Sequence, residues 1–308
     1  MRKKNLIWSG VFLATGLLSL GFDLSNSAVP VEEIQEGGVP VDGIPDLQNP
    51  ERVSAVEADE FLEAEDWVVG LVLNQTARAY PFRILNWHLI VNDSFTGKPV
   101  VVTYCPLTGT IRAFRGEAGG VPLTLGVSGK LYKNNLIFYD RESKSLWSQM
   151  RGEAITGPRK GTTLESLPVW IAQWKRWRTQ YPATEVLSLN TGYLRDYERN
   201  PYEKYERSME ALFPVSKIRP ELPPRERVVG IFSKGRAKAY PWSFLMKLSR
   251  DRLEDSIGGE KIWLERVSDL ESIQVRDQEG NLLPVIFTSW FAWQDFYPAT
   301  EVYLATHA

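Results

Sequence analysis

The sequence predicts an α+β fold, rich in strands, made of two tandem copies of a small twisted β unit that are each closed by a tryptophan-bearing helix. Two pairs of repeated segments support this prediction. Residues 68–85 align without a gap on residues 228–245, and the pattern W-x-x-W-x-x-x-Y-P-A-T-E-V begins at Trp174 and again at Trp290. Within the second copy, fewer residues separate the first repeated segment from the W-x-x-W segment. This indicates that the second copy is shortened in its middle.

Capping and turn signals predict the first elements. Ser54 and Glu57 have the spacing of a capping box, which predicts the start of a short helix. Residues 68–73 and 77–82 flank a polar turn and predict a β-hairpin. Residues 84–91 predict a short helix or a bent strand, because periodicity does not separate the two.

Strand signals are dense after residue 99. Residues 100–105 are an unbroken run of β-branched and aromatic residues ending in cysteine, which predicts a strand buried on both faces. Residues 126–130 predict a β-turn, because they fit neither a phosphate-loop nor a nucleophile-elbow pattern. Tyr139, Asp140 and Arg141 predict an ion pair at the end of a strand.

One longer helix is predicted in each copy. In the first, Ser166 is the expected cap and Pro168 lies in the first turn, with basic residues on one face and apolar residues on the other. The apolar face consists of Trp170, Ile171, Trp174 and Trp177. The second copy is expected to close with an equivalent helix over residues 287–296, and all these tryptophans are expected to lie in the core.

The chain is expected to have five parts. Residues 1–27 combine Arg2, Lys3 and Lys4 with an apolar run and small residues, which is typical of a signal peptide or a retained N-terminal anchor. We therefore expect an exported protein, periplasmic or anchored to the outer face of the inner membrane. The remaining parts are an acidic leader (28–66), the first repeat with the candidate site (67–196), a linker (197–227) and the degenerate second repeat (228–308).

Charge is distributed unevenly along the chain. Between residues 28 and 66 there are twelve acidic residues and one basic residue, Arg52, although the net charge of the whole chain is only −2. The acidic leader is expected either to fold across the mildly basic body or to remain solvated. Nucleic acid is excluded as a partner, because no cluster of Lys and Arg with interleaved aromatic residues occurs.

The candidate site lies in the part of the first copy that the second copy lacks. Cys105 is the only cysteine, so no internal disulfide forms, and it ends a buried strand before a turn that contains Thr108. A thiol reacts or binds metal as the thiolate, which a nearby imidazole favours. We expect His88 to approach Cys105 and Thr108 to line the turn; the alternative is a buried, inert cysteine.

A metal at this site is a weaker expectation. Zinc is disfavoured, because its sites need three or four protein ligands and only Cys105 and His88 are available as soft or imidazole ligands. Copper bound by Cys105 and His88, with a methionine such as Met150, fits the softness of these ligands. The cofactor is therefore copper or none, and the sequence does not choose between them.

Several motifs together resemble the bacterial domain-of-unknown-function 3179 family. They run through most of the chain after the leader: Arg78–Pro81, Asn86–His88, Val91–Asp93, Thr103–Leu107, Gly109–Thr110, Gly126–Gly129, Leu131–Tyr132, Tyr139–Arg141, Leu146–Gln149, Thr191–Tyr193 and Arg195–Tyr197. The resemblance brings no established activity. It implies a C-x-x-C pair in which Thr108 here replaces the second cysteine, and a Glu that is often found where this chain has Leu89.

Two functions of different classes remain open. The leading hypothesis is an exported protein with a single-thiol Cys105/His88 site that acts in thiol redox or soft-metal handling, with an exported thiol or metal-handling partner and a tether to the membrane. The rival is a non-catalytic exported scaffold or binding module with a structural cysteine. A Cys–His hydrolase is disfavoured, because no oxyanion-stabilising motif is found.

Overall fold

The computed structural model describes residues 21–208, 210–215, 217–248 and 251–304. Within these ranges, many short strands and six short α-helices confirm the predicted α+β class. Most of the predicted signal or anchor, residues 1–20, lies outside the described residues. In the part of the chain that is described, no helix is long and apolar enough to cross a membrane.

The acidic leader (residues 28–66), from here on called the arm, and the first repeat (residues 67–196), called the first unit, contain seventeen strands and three α-helices. The arm holds β1 (Ile34–Glu36), β2 (Leu47–Gln48), β3 (Arg52–Ser54) and α1 (Ala55–Ala58). The first unit holds β4 (Trp67–Leu73), β5 (Thr76–Pro81), α2 (Phe82–His88), β6 (Ile90–Phe95), β7 (Lys98–Cys105), β8 (Thr110–Arg115), β9 (Glu117–Ala118), β10 (Val121–Pro122), β11 (Leu125–Tyr132), β12 (Asn135–Asp140), β13 (Leu146–Ser148), β14 (Glu153–Ala154), β15 (Ser166–Leu167), β16 (Trp170–Gln173), α3 (Trp174–Gln180) and β17 (Glu185–Leu187).

The rest of the chain forms a covering segment and the second unit. The covering segment, residues 197–226, contains α4 (Glu203–Arg207). The second unit holds β18 (Arg227–Ser233), β19 (Arg236–Pro241), α5 (Trp242–Leu245), β20 (Arg252–Ile257), β21 (Glu260–Val267), β22 (Ser272–Asp277), β23 (Leu282–Leu283), β24 (Ile286–Ser289), α6 (Trp290–Phe296) and β25 (Glu301–Val302).

One large sheet joins the two units. Its strands run in the order β2-β6-β7-β8-β24-β18-β19-β25, with β15 also paired to β8. The junction is the antiparallel contact of β8 with β24, where Ile111 lies opposite Phe287. Smaller sheets flank it, including β16-β4-β5-β17-β3 of the first unit. The two units therefore share a core instead of folding as separate domains.

The predicted hairpin at residues 68–82 and its counterpart in the second unit have equivalent neighbours. The hairpin β4–β5 lies between antiparallel β16 and parallel β17, and the hairpin β18–β19 lies between antiparallel β24 and parallel β25. In each unit a tryptophan packs directly over a glycine of the hairpin, Trp177 over Gly70 and Trp293 over Gly230. The matching strand order agrees with a repeated unit, whereas the common origin of the two copies stays a prediction.

The predicted closing helices are shorter than expected. Trp170 and Ile171 lie in strand β16, and the first helix begins only at Trp174. Ser166 lies in β15 and caps no helix. Backbone pairing of β16 with β4 explains the difference, since edge-strand hydrogen bonds take the place of the first helical turns. Likewise β24 occupies Ile286–Ser289, and α6 starts at Trp290.

The structure also tests the predictions for three short segments. The capping box of Ser54 and Glu57 is confirmed at α1. The segment 84–91 is a helix that ends at His88 and continues as strand β6. The predicted turn at 126–130 is wrong, because these residues belong to β11, whose pairing with β12 is interrupted by a bulge between Val127 and Lys130.

The acidic arm lies across the body. Its strands pair with the body at three places, β1 with β11, β2 with β6 and β3 with β17. Arg141 binds two carboxylates of the arm, Asp42 and the nearly buried Asp46. The expected ion pair among residues 139–141 is therefore replaced by longer-range pairs, while Asp140 accepts a hydrogen bond from the indole of Trp147 at 2.8 Å.

We expect Gly70→Ala to destabilise the fold. A Cβ at this position would overlap the buried indole ring of Trp177, and overpacking of this kind costs about 1–3 kcal/mol. Denaturant unfolding of the Gly70→Ala protein should show this loss, and the double variant with Trp177→Leu should show a favourable coupling between the two changes. Unfolding of Gly70→Ala at the wild-type midpoint would contradict the packing.

Candidate functional site

Cys105 lies at the end of β7, where the chain turns toward β8. The turn is closed by the backbone N–H of Thr108, which donates to the carbonyl of Cys105 at 3.3 Å. The side chain of Cys105 is only 2% exposed and packs in a buried cluster that includes Phe138 and Trp147. Its sulfur lies 3.9 Å from the carbonyl oxygen of Asn134. The thiol is therefore a core group at a strand end.

Two opposing effects act on this thiol. Burial is the larger one and raises the pKa of Cys105. The Thr108 hydroxyl and the backbone N–H groups of Thr108, Leu136 and Leu107 point toward the sulfur and favour its thiolate. Because burial outweighs these donors, Cys105 is a protonated thiol at neutral pH.

Thr108, the third predicted site residue, belongs to a buried polar network. Its hydroxyl lies 2.8 Å from that of Thr110 and accepts from the amide of Asn135 at 3.0 Å. The hydroxyl of Thr110 continues the network to Thr288 of the second unit at 2.8 Å. Gln149 completes it, since its amide oxygen accepts from Asn135 and its amide group donates to Thr110 O. Thr108 thus links the cysteine turn to the junction between the units.

His88 is the last residue of α2 and is fully buried. Its Nδ1 lies 2.9 Å from the carbonyl oxygen of Pro45, and its Nε2 lies 2.7 Å from the hydroxyl of Tyr197. A carbonyl only accepts, so Nδ1 carries the proton and Nε2 accepts from Tyr197. Burial lowers the pKa of His88 to about 4, and the positive charge of Arg195 acts in the same direction, against the hydrogen bond to Pro45. The imidazole is therefore neutral.

The structure places His88 and Cys105 in different surroundings. Their backbones are close, because Tyr104 N donates to Leu89 O at 2.8 Å. The hydrogen bonds of the His88 ring lead to the arm and to Tyr197, while those at the Cys105 sulfur lead to its own turn and to residues 134–136. Among the described residues, no hydrogen bond joins the two side chains.

The copper hypothesis has no geometric support. Met150 packs in a buried cluster with Tyr132 and Trp290, and Cys105 packs in another. Nowhere in the described ranges do three or more His, Cys, Asp or Glu side chains group as metal ligands. The ligands that sequence spacing suggested are thus dispersed through the core.

The covering segment shields the cysteine turn from solvent. The hydroxyl of Tyr205 donates to the carbonyl of Leu107 at 2.7 Å, and the guanidinium of Arg225 stacks on the Tyr205 ring at 4.5 Å. Tyr202 packs against the cluster that contains Cys105. Further along, Asn134 exchanges two hydrogen bonds with the backbone of residue 213. A reagent reaches the sulfur only after this segment moves.

Sequence reasoning missed an open cleft of about 400 Å³ beside β7. Asn86, Tyr104 and Arg227 line it, and Oδ1 of Asn86 is buried without a hydrogen-bond partner among the described residues. Asn86 and Tyr104 could have been proposed from the sequence, because both lie in motifs that carry the family resemblance. Arg227 gave no such signal, since nothing in the local sequence places it against the first unit.

Comparison with known proteins identifies the family. The family model described as "Protein of unknown function (DUF3179)" matches residues 41–300. The chain therefore belongs to the DUF3179 family, as its motifs predicted. No curated protein and no solved structure gives a significant match.

We expect the stability of the protein to fall as the pH decreases from 6.5 toward 4. The pKa of His88 is lowered from 6.5 to about 4, so between these values the unfolded chain binds a proton that the folded chain does not. The stabilisation is complete above pH 6.5 and is lost at low pH, by about 3 kcal/mol at most. Denaturant unfolding measured across this range tests it.

The matched control is His88→Gln, which keeps a donor and an acceptor but does not titrate. Its stability should change less than that of the wild type between pH 6.5 and 4. Equal slopes for the two proteins would show that His88 titrates normally.

Proposed function

We propose that this DUF3179 chain is an exported, non-catalytic module in which Cys105 is a structural residue. The observation that carries the proposal is the burial of the thiol, 2% exposed under the covering segment. A nucleophilic or metal-binding cysteine needs access and a stabilised thiolate. Cys105 has a raised pKa, and the imidazole that would activate it is hydrogen-bonded to Pro45 and Tyr197.

Export is part of the same proposal. It is supported by the basic residues 2–4, the apolar run after them and the small residues at 25–28. A chain with one cysteine has no internal disulfide to form in an oxidising compartment. Its stability then rests on packing, and the aromatic core around Trp147, Trp177 and Trp293 is consistent with that requirement.

Thiol exchange is the second candidate function, and one observation favours it. Backbone N–H groups and the Thr108 hydroxyl converge on the sulfur, an arrangement that would stabilise a thiolate once water reached it. In this case the Cys105 thiolate would attack a disulfide of an exported partner, form a mixed disulfide and release the partner's other sulfur as a thiolate. His88 and Thr108 would then be the supporting residues. The covering segment would have to open first.

Alkylation of the native protein separates the two functions. If Cys105 is structural, iodoacetamide should modify the native chain at least about 100-fold more slowly than the urea-unfolded chain, because the reactive form is reached only through opening. Mass spectrometry gives the rates. The Cys105→Ala chain is the blank, and the double change Tyr202→Ala and Tyr205→Ala, which uncovers the turn, should raise the native rate. Native alkylation as fast as unfolded alkylation would favour thiol chemistry.

We also expect Thr108→Cys to form a disulfide with Cys105 under mild oxidation. The Thr108 side chain already contacts the sulfur across the turn, so a thiol there lies within bonding range. Intact-mass measurement should show the loss of two hydrogens. Thr179→Cys, on the exposed end of α3, is the control and should remain reduced within the chain. A Thr108→Cys protein that keeps both thiols free would disprove this geometry.

A further inference from the structure

The cleft beside β7 is formed where four parts of the chain meet, since Glu65 and Asp66 at the end of the arm join the first unit, the covering segment and the second unit. Trp67 at the start of β4, Asn86 of α2 and Tyr104 of β7 form its wall in the first unit. The covering segment adds residues 197–200 and Glu206, and the second unit adds Arg227. Its volume of about 400 Å³ is in the range of pockets that bind small molecules.

Part of the charge in this cleft is neutralised within the protein. Arg83 binds Asp66 at 2.5 Å and Glu198 at 2.7 Å. Glu206 accepts a hydrogen bond from Asn200 at 2.8 Å. These charges are therefore paired or hydrogen-bonded within the protein without a ligand, although Nε of Arg83 is buried with no hydrogen bond to a described residue.

Arg227 differs from them. Its guanidinium lies 5.7 Å from the ring of Trp67 and 5.6 Å from the ring of Trp242. It makes no ion pair with a described residue, although it is accessible from the cleft. Desolvation by the surrounding protein lowers the pKa of Arg227, but an arginine stays charged. The two rings hold a cation in place without supplying an anion.

Two uncharged side chains that line the cleft also have an oxygen without a hydrogen-bond partner among the described residues. Asn86 is 8% exposed, and its Oδ1 is buried with no hydrogen bond. The hydroxyl of Tyr104, itself 6% exposed, makes no hydrogen bond with any residue in the described ranges. A buried polar group without a hydrogen bond destabilises the protein, because it has lost its bonds to water. A ligand N–H that donates to Asn86 Oδ1 recovers this free energy.

We propose that the cleft binds an organic carboxylate that carries a neighbouring N–H group, as found in an amino acid or at the C-terminal end of a peptide. The carboxylate lies against Arg227, whose planar fork matches it. The N–H donates to Asn86 Oδ1, and the apolar part packs against Phe82 and Trp67, which line the same cleft. The proposed ligand rests on the non-catalytic function above and gives that module its binding site.

The signs of charge in the cleft favour this class over a phosphate. Glu65 and Glu206 face the same space as Arg227, so a ligand with two or more negative charges would be repelled. A single carboxylate matches Arg227, which forms no ion pair within the described ranges. An N–H donor beside it matches the acceptor on Asn86, which a simple inorganic anion would leave without a partner.

Isothermal titration of the full chain tests the ligand. The probe is N-acetyl-L-phenylalanine, and its matched control is N-acetyl-L-phenylalaninamide, which has the same shape without the charge. The acid should bind at least about tenfold more tightly than the amide. Free L-phenylalanine, compared with the acetylated acid, distinguishes an amino acid from a peptide end. Equal binding of acid and amide, or no binding of either acid up to about 10 mM, overturns the inference.

Variants assign the binding to the cleft. Arg227→Gln should lower the affinity for the acid at least about tenfold and leave the affinity for the amide unchanged. Arg227→Lys should retain part of the affinity for the acid. Arg236→Gln, at the exposed start of β19, is the matched control and should bind as the wild type does. Thermal unfolding without ligand verifies that each variant is folded. Wild-type affinity in a folded Arg227→Gln protein overturns the site.

A failure here is distinguishable from a failure of the proposed function. If the acid does not bind and native Cys105 still resists alkylation, the structural cysteine stands and only the ligand is wrong. If the acid binds through Arg227 but native Cys105 reacts rapidly, the cleft stands and the non-catalytic function is wrong.

Discussion

The structure depends on the polar network buried at the junction of the two units. Thr110 and Thr288 exchange a hydrogen bond across β8 and β24, and the backbone N–H of Ser289 donates to Thr108 O at 2.8 Å. Asn135 and Gln149 extend the network under the cysteine turn. Because a buried network is costly when one member lacks a partner, it fixes one register between the units. The turn of Cys105 and the cleft wall at Arg227 are both positioned by this register.

Local signals in the sequence predicted the elements whose partners are near in the chain. The capping box at Ser54 and the hairpin at residues 68–82 are satisfied within a few residues, so the pattern alone was sufficient. The sequence predicts helix where strand β16 lies, because the apolar spacing there also fits a helical face. What decides its conformation is pairing with β4, about one hundred residues earlier in the chain. The position of the arm is likewise set by pairing with strands that are distant in the sequence.

The candidate site was predictable in one part only. The buried strand and the turn after Cys105 follow from composition, and both are present. The direction of the His88 ring does not follow from composition. It is set by hydrogen bonds to Pro45 and Tyr197, which lie in two distant segments. It also depends on the positive φ of Leu89, where the helix ends. Seventeen positions of spacing permit contact between two side chains but do not produce it.

The strand β7 explains why a closed thiol and an open cleft lie side by side. Successive side chains of a strand point to opposite faces. Tyr104 accordingly packs in the cluster of the central sheet and lines the cleft, while Thr103 and Cys105 face the network and the cluster of Phe138. The end of β7 thus contributes side chains to two faces of the sheet that differ in function. One face of β7 holds the units in register, and the other places the largely buried ring of Tyr104 against the cleft. The presence of residues 103–107 in this chain therefore does not require a reactive cysteine.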